Sequence, residues 1–93
     1  MQTPDSQKII SRFFEALYYL KAQHIIRGKQ TFTAKFGINR WNMHSLEKDM
    51  SRDMFQPAWL TYLVSEYNIS SEWLLTGRGD IISHLQKSKE GVK

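Results

Sequence analysis

The sequence predicts an all-α protein, a compact domain of five helices. Three observations support this prediction. Apolar residues recur at spacings of three and four along most of the chain, which is the period of an amphipathic helix. Residues that favour helix ends separate these stretches. A chain of 93 residues also has room for only one hydrophobic core. No strand is predicted.

Composition places the chain among soluble globular proteins. Hydrophobic residues make up 41% and charged residues 24% of the sequence, close to the averages for globular domains. The sequence has no Cys, which excludes disulfides and zinc sites built on sulfur. Residues 1–8 are polar and do not resemble an export signal, and no apolar run approaches the roughly 18 residues of a membrane span. We therefore expect a cytoplasmic protein with no membrane partner.

The first helix is predicted from about Ser6 to Gln23. Pro4, Asp5 and Ser6 offer a turn and N-cap oxygens at its start. Its inward stripe consists of Ile10, Phe13, Phe14, Leu17, Tyr18 and Leu20. The aromatic residues of this helix, Phe13, Phe14, Tyr18 and Tyr19, exceed what one face can bury, so some of them could line a dimer contact.

The second helix is predicted from Lys29 to Phe36, after a break at Gly28. Phe32, Ala34 and Phe36 are its candidates for packing. Gly37 follows at the position where helices often end in a left-handed residue.

The third helix begins after Asn39, a good N-cap, and runs to about Lys48. Met43, Leu46 and Met50 form its predicted inward stripe.

The last two helices follow a connection at 49–56. Pro57 suits the first turn of the fourth helix, Asn68 ends it, and Ser70 or Ser71 caps a short fifth helix that Gly77 and Gly79 stop. The fourth helix carries Trp59, Leu60, Leu63, Val64 and Tyr67 inward, and the fifth contains Trp73, Leu74 and Leu75. Trp59 and Trp73 are expected to pack in the core. Residues 1–79 form the predicted domain, and residues 80–93 a tail that is frayed, flexible or docked against a partner.

The segment from Phe32 to Glu47 carries the most information about function. Two short helices joined by a Gly-containing turn constitute a helix-turn-helix unit. The second helix of such a unit buries one stripe and presents polar side chains at its start, since that half enters the major groove of DNA. Arg40, Trp41, His44 and Ser45 are predicted to face outward here. A carboxylate is repelled by phosphates, so Glu47 is expected to form a local hydrogen bond or salt bridge.

Two motifs resemble the lambda-repressor-like family of Cro and repressor proteins. The first comprises Phe32, Thr33, Phe36, Gly37, Ile38, Asn39, Arg40, Met43, Leu46 and Glu47. The second is Trp-Leu-Leu-Thr-Gly-Arg-Gly at 73–79, which is similar to the end of bacteriophage repressor N-terminal domains. The resemblance spans roughly residues 9 to 80. It implies a sequence-specific DNA-binding domain with the helix-turn-helix at helices 2 and 3.

The resemblance also implies roles for individual residues. Arg40 and Trp41 fall on base-reading positions, and Ser45 falls on a further base contact one turn later. Contacts to the DNA backbone are implied for Lys29, Asn39, Asn42 and His44. Lys35 joins Lys29 in the predicted neutralisation of phosphates. An indole has one donor and no acceptor, which leaves open a protein-facing role for Trp41.

Charge is distributed unevenly along the chain. Residues 21–52 contain seven Lys or Arg and two Asp or Glu, a net charge of +5, whereas the remainder has six against seven, a net charge of −1. A phosphate-binding surface requires such a local positive excess. The charge pattern thus supports DNA as the partner independently of the resemblance.

The sequence therefore predicts a DNA-binding repressor or regulator of bacterial or phage origin. A homodimer would read two half-sites, with contacts from the fifth helix, Ile81, Ile82, Leu85 or the rings of the first helix. No enzyme activity and no cofactor are expected, and His24, His44 and His84 lack the spacing of metal ligands. Two alternatives are a protein-interaction module that uses Trp41, and an antitoxin whose tail wraps a toxin.

Overall fold

The computed structural model describes residues 3–83, and these residues contain five α-helices. The helices are α1 (Pro4–Ala22), α2 (Lys29–Phe36), α3 (Arg40–Lys48), α4 (Ala58–Tyr67) and α5 (Ser71–Thr76). The only extended pairing within this range is one antiparallel bridge between Ile69 and Ile82. The prediction of an all-α chain is thus confirmed for the described residues. No helix among them is both long enough and apolar enough to cross a membrane.

Side-chain caps set three of the five helix starts. The Thr3 hydroxyl accepts a hydrogen bond from the Ser6 amide at 3.1 Å, so α1 begins at Pro4, two residues earlier than predicted. The side chain of Asn39 caps α3, as predicted. Ser70 caps α5 by accepting a hydrogen bond from the Trp73 amide at 3.2 Å. Each cap satisfies an amide that has no partner inside its helix.

Left-handed residues set three of the helix ends. Gly37, Asn68 and Gly77 follow α2, α4 and α5 with φ angles of 66°, 59° and 79°. Glycine adopts this conformation without the steric cost of a Cβ, and asparagine tolerates it better than most residues. The sequence predicted a helix end at each of these three positions.

The core is rich in aromatic residues. Phe13 and Phe32 are fully buried, and their ring centroids lie 5.7 Å apart. The other large side chains with almost no exposure are Ile10, Leu17, Leu20, Met43, Leu46, Leu63, Ile69 and Leu74. Trp59 and Trp73 are also buried, which confirms their predicted place in the core.

Two residues that were predicted to pack inward, Ala34 and Tyr18, are exposed instead. Ala34 is exposed, and Thr33 is buried on α2 in its place, with its hydroxyl donating to the Gln30 carbonyl at 3.1 Å. Ala34 lies two residues after the buried Phe32, and two residues turn an α-helix by about 200°, so the two side chains point in opposite directions. Tyr18 of α1 is 47% exposed and lies outside the core, and its hydroxyl donates to Glu47 of α3.

Two long-range contacts attach α5 and the segment after it to the rest of the fold. The Arg12 guanidinium donates to the Leu74 carbonyl at 2.8 Å and to the Leu75 carbonyl at 3.1 Å, which joins α1 to the end of α5. Residues 81–83 pair with residues 68–70, and Ile81 and Ile82 pack against the core of their own chain. Residues 84–93 of the predicted tail, including His84 and Leu85, lie outside the described residues.

Candidate nucleic-acid interface

The connection between α2 and α3 is short, and several hydrogen bonds hold it. The amides of Gly37 and Ile38 both donate to the Thr33 carbonyl, the latter at 2.9 Å. The Asn39 side chain then accepts from the Asn42 amide at 3.0 Å and begins α3. Three residues, 37–39, therefore end α2, form the turn and begin α3.

An open cleft of about 1030 Å³ lies between these two helices. Its lining is Lys29, Gln30, Thr33, Ile38, Asn39, Arg40, Trp41, Met43 and His44. Five of the eight predicted DNA-contacting residues are in this lining, and none of the nine lining residues is acidic. The structure therefore brings most of the predicted site together on one surface.

The orientation of α3 follows from its buried stripe. Met43 and Leu46 are 1% and 0% exposed, as the sequence predicted. With this stripe in the core, Arg40, Trp41, Asn42 and His44 are exposed on the outer side of α3. The N-terminal half of α3 thus exposes polar and aromatic side chains at the surface.

The Trp41 indole is 76% exposed. Its ring lies against that of His44 in an edge-to-face arrangement, with the centroids 6.2 Å apart and the planes at 79°. The His44 ring is thus a neighbour one turn further along α3, and it flanks one side of the indole.

Asn42 and Ser45 lie on α3 but outside the lining of the cleft. Asn42 is exposed and its amide donates to the cap, whereas Ser45 is half-buried. The Oδ1 atom of Asn39 is already an acceptor in the cap. A ligand in the cleft would therefore meet the amide NH₂ group of Asn39 as a hydrogen-bond donor.

Lys29 lies in the cleft and its ammonium group is paired. It donates to Glu47 and, at 3.4 Å, to the Tyr18 hydroxyl, and that hydroxyl donates to the other oxygen of Glu47 at 2.5 Å. These contacts connect α1, α2 and α3. They confirm the local structural role that the sequence predicted for Glu47.

Both members of this ion pair have shifted pKa values. Partial burial disfavours the charged form of each group, but the hydrogen bonds and opposite charge outweigh that effect. The pKa of Lys29 is therefore raised and the pKa of Glu47 is lowered. The pair remains ionised across the neutral range, so Glu47 competes with a phosphate for the ammonium group.

Lys35 lies away from the cleft, on the side of α2 that meets α4. Its ammonium group forms an ion pair with Glu66 at 3.3 Å. It also lies 5.6 Å from the ring centroids of both Phe36 and Tyr67. The structure therefore separates Lys35 from the other predicted DNA contacts.

Gln30 is a cleft residue that the sequence reasoning missed. Its side chain is exposed and folds over Gly28, so closely that a Cβ atom added to Gly28 would lie 2.6 Å from the Gln30 Oε1 atom. The available signal was a polar amide in the first turn of α2, directly after Lys29. Gln30 adds a hydrogen-bonding group to the same surface as Arg40.

Residues 3–83 contain no cluster of three His, Asp or Glu side chains that could hold a metal ion. No protein-family model, curated protein or solved structure matches the chain.

Proposed function

We propose that this protein binds double-stranded DNA sequence-specifically and acts as a repressor or regulator of the lambda-repressor-like type. The observation that carries the proposal is the lining of the cleft between α2 and α3. It contains Arg40 and several hydrogen-bonding side chains but no carboxylate, and its other basic group, Lys29, is paired with Glu47, which lies outside the lining. Such a surface suits a polyanion whose base edges offer many acceptors.

Arg40 is the base-reading residue of this proposal. It is the first residue of α3, and the burial of Met43 and Leu46 fixes the rotation of that helix. A guanidinium has the fork of donors that matches O6 and N7 of guanine in the major groove. The start of α3 also carries the positive end of a helix dipole, which favours a nearby phosphate.

A homodimer would extend the contact to two half-sites about 34 Å apart. Among the predicted dimer contacts that lie in residues 3–83, α5 has the most exposed apolar side chain, Leu75, at 52%. Ile81 and Ile82 pack against their own core, which favours α5 as the contact.

A titration of labelled duplex DNA at several salt concentrations tests the proposal. Duplexes would first be selected by the wild-type protein from a random pool. Arg40→Ala should weaken binding to the selected duplex by about ten- to a hundredfold, and the affinity should fall steeply with added salt. Arg78→Ala removes the same charge from an exposed residue outside the cleft and is the matched control.

Two results would contradict the proposal. The first is the absence of binding at about 50 mM salt, where phosphate contacts are strong. The second is binding that depends neither on salt nor on Arg40.

A protein-interaction module is the second candidate, and the exposure of Trp41 favours it. Tryptophan is enriched among the residues that dominate protein–protein binding energy. If Trp41→Ala abolished binding to a protein partner and left DNA affinity unchanged, this function would replace the first. The antitoxin alternative depends on the tail, whose residues 84–93 lie outside the described range.

A further inference from the structure

Trp41 is the most exposed of the large hydrophobic side chains in residues 3–83. Trp59 and Trp73 are buried at 5% and 9% exposure, so an indole on the outer face of α3 is unusual within this chain. The ring lines the cleft beside Arg40 and is flanked by His44. A side chain in this position meets whatever occupies the cleft.

The hydrogen-bonding and apolar groups of the indole match one base edge of the major groove better than the others. Indole offers one N–H donor and a broad apolar surface, and it has no acceptor. Thymine presents an acceptor, O4, and an apolar group, the 5-methyl. Cytosine presents a donor in place of that acceptor and has no methyl group. Among the four bases, thymine is therefore the complement of indole on both counts.

The surroundings of Trp41 favour DNA over a protein as its partner. The side chains that share the cleft are mainly donors or basic groups, among them Lys29, Arg40 and the Asn39 amide. No acidic side chain in the lining is available to pair with a basic rim on a protein partner. Ile38 and Met43 also line the cleft but are half-buried and buried, so the indole is its exposed hydrophobic element, on a surface that otherwise suits phosphates and acceptor-rich bases.

We propose that Trp41 reads a thymine, through its 5-methyl group and O4, next to the guanine read by Arg40. This inference rests on the proposed DNA-binding function. Residues 40 and 41 are consecutive at the start of α3, so their side chains diverge by about 100° and address neighbouring base pairs. The duplexes selected from a random pool should therefore contain a thymine adjacent to the Arg40-dependent guanine.

The contact to the 5-methyl group and the contact to O4 can be measured separately by placing each of four pyrimidines at that position. Thymine has the methyl group and the acceptor, uracil only the acceptor, 5-methylcytosine only the methyl group, and cytosine neither. Replacing thymine by uracil should weaken wild-type binding by about fourfold, the effect of one buried methylene-sized group. 5-Methylcytosine should also bind more weakly than thymine, and cytosine should bind most weakly of the four.

Variants at Trp41 assign these differences to the indole. Trp41→Ala should remove both the methyl preference and the acceptor preference. Trp41→Phe should retain the preference for thymine over uracil, because the ring remains, and lose the preference for thymine over 5-methylcytosine, because the N–H is gone. Ile25→Ala is the control, since Ile25 is 52% exposed and lies outside the cleft.

The outcomes separate this inference from the proposed function. Selected duplexes that bind in an Arg40-dependent way but show equal affinity for thymine and uracil would overturn the thymine contact alone. The same holds if Trp41→Ala leaves all four affinities unchanged, which is the result expected for an indole that faces a protein partner. A selection that yields no bound duplex would overturn both proposals.

Discussion

The aromatic core and the outer face of α3 use similar residues in opposite ways. In the core, the Trp59 ring lies 5.8 Å from the ring of Phe13 and 5.1 Å from that of Phe55, and only 5% of Trp59 is exposed. On α3, Trp41 is 76% exposed and its ring neighbour is His44. Arginines show the same contrast, because Arg12 donates to backbone carbonyls of α5 whereas Arg40 lines the open cleft.

This contrast indicates that stability and binding reside in different parts of the molecule. Burial of apolar area and satisfied hydrogen bonds stabilise the fold, and both are concentrated in the core and at the contact between α1 and α5. The exposed side chains of α3 add little to stability because they remain in water in the folded protein. A substitution in the core should therefore affect mainly unfolding, and one among the exposed side chains of α3 mainly binding.

The largest expected difference in unfolding free energy is between alanine variants at Phe32 and at Trp41. Phe32→Ala should lower the free energy of unfolding by about 3–5 kcal/mol, because Phe32 is fully buried and its removal leaves a cavity. Trp41→Ala should change the free energy of unfolding by less than about 0.5 kcal/mol, as is usual for exposed residues. Urea unfolding measures both values. Comparable losses of unfolding free energy for the two variants would contradict the proposed division between a stabilising core and a binding surface on α3.

A smaller difference is expected between Arg12 and Arg40. Arg12→Ala should cost about 1.5 kcal/mol of unfolding free energy, because two carbonyls at the end of α5 lose a charged donor. Arg12→Lys should recover only part of this loss, since an ammonium lacks the fork of donors.

Arg40→Ala should leave the free energy of unfolding nearly unchanged and weaken DNA binding. Thermal unfolding and DNA titration of the same samples test the pair of arginines. If the Arg12→Ala protein is as stable as the wild type, the hydrogen bonds from Arg12 to α5 do not stabilise the fold.

The smallest expected effect involves the ion pair between Lys29 and Glu47. Glu47→Gln should cost at most about 1 kcal/mol at neutral pH, because both side chains are partly exposed. The pKa of Glu47 is lowered in the folded protein, so this contribution is present above the ordinary pKa of 4.5 and is lost as the pH falls through the folded value. Unfolding curves of wild type and variant should therefore converge at acidic pH.

The same variant tests the phosphate contact predicted for Lys29. Removing the carboxylate charge releases the ammonium group at the edge of the cleft, so Glu47→Gln should increase DNA affinity. Unchanged affinity would indicate that Lys29 does not face a phosphate. Glu66→Gln, which removes the ion-pair partner of Lys35 on the side facing α4, is the matched control.

Helix boundaries were largely predictable because their causes are local. Gly37, Asn39 and Asn68 act within a few residues of themselves, through a left-handed conformation or a cap. The buried stripe of α3 was predictable for the same reason, since Met43 and Leu46 share a face by spacing alone. Ala34 was mispredicted because its apolar character was given more weight than its position in the helical period.

Partners of charged side chains were not predictable, because they come from distant parts of the chain. Lys29 and Lys35 both appear in the basic segment, and the sequence assigned both to phosphates. The fold places Glu47 and Tyr18 beside Lys29, and it places Glu66 and Tyr67 beside Lys35. Sequence spacing contains no information on such encounters between different helices.

The sequence by itself determined the all-α class, the positions of the five helices and the separation of buried from exposed positions on α3, because these depend on local spacing and capping. Only the tertiary structure decided which basic groups remain available to a ligand. It left Arg40 and Trp41 at the open cleft and paired Lys29 and Lys35 with carboxylates. The physical reason is that availability depends on which helices pack together, and packing joins residues far apart in the chain.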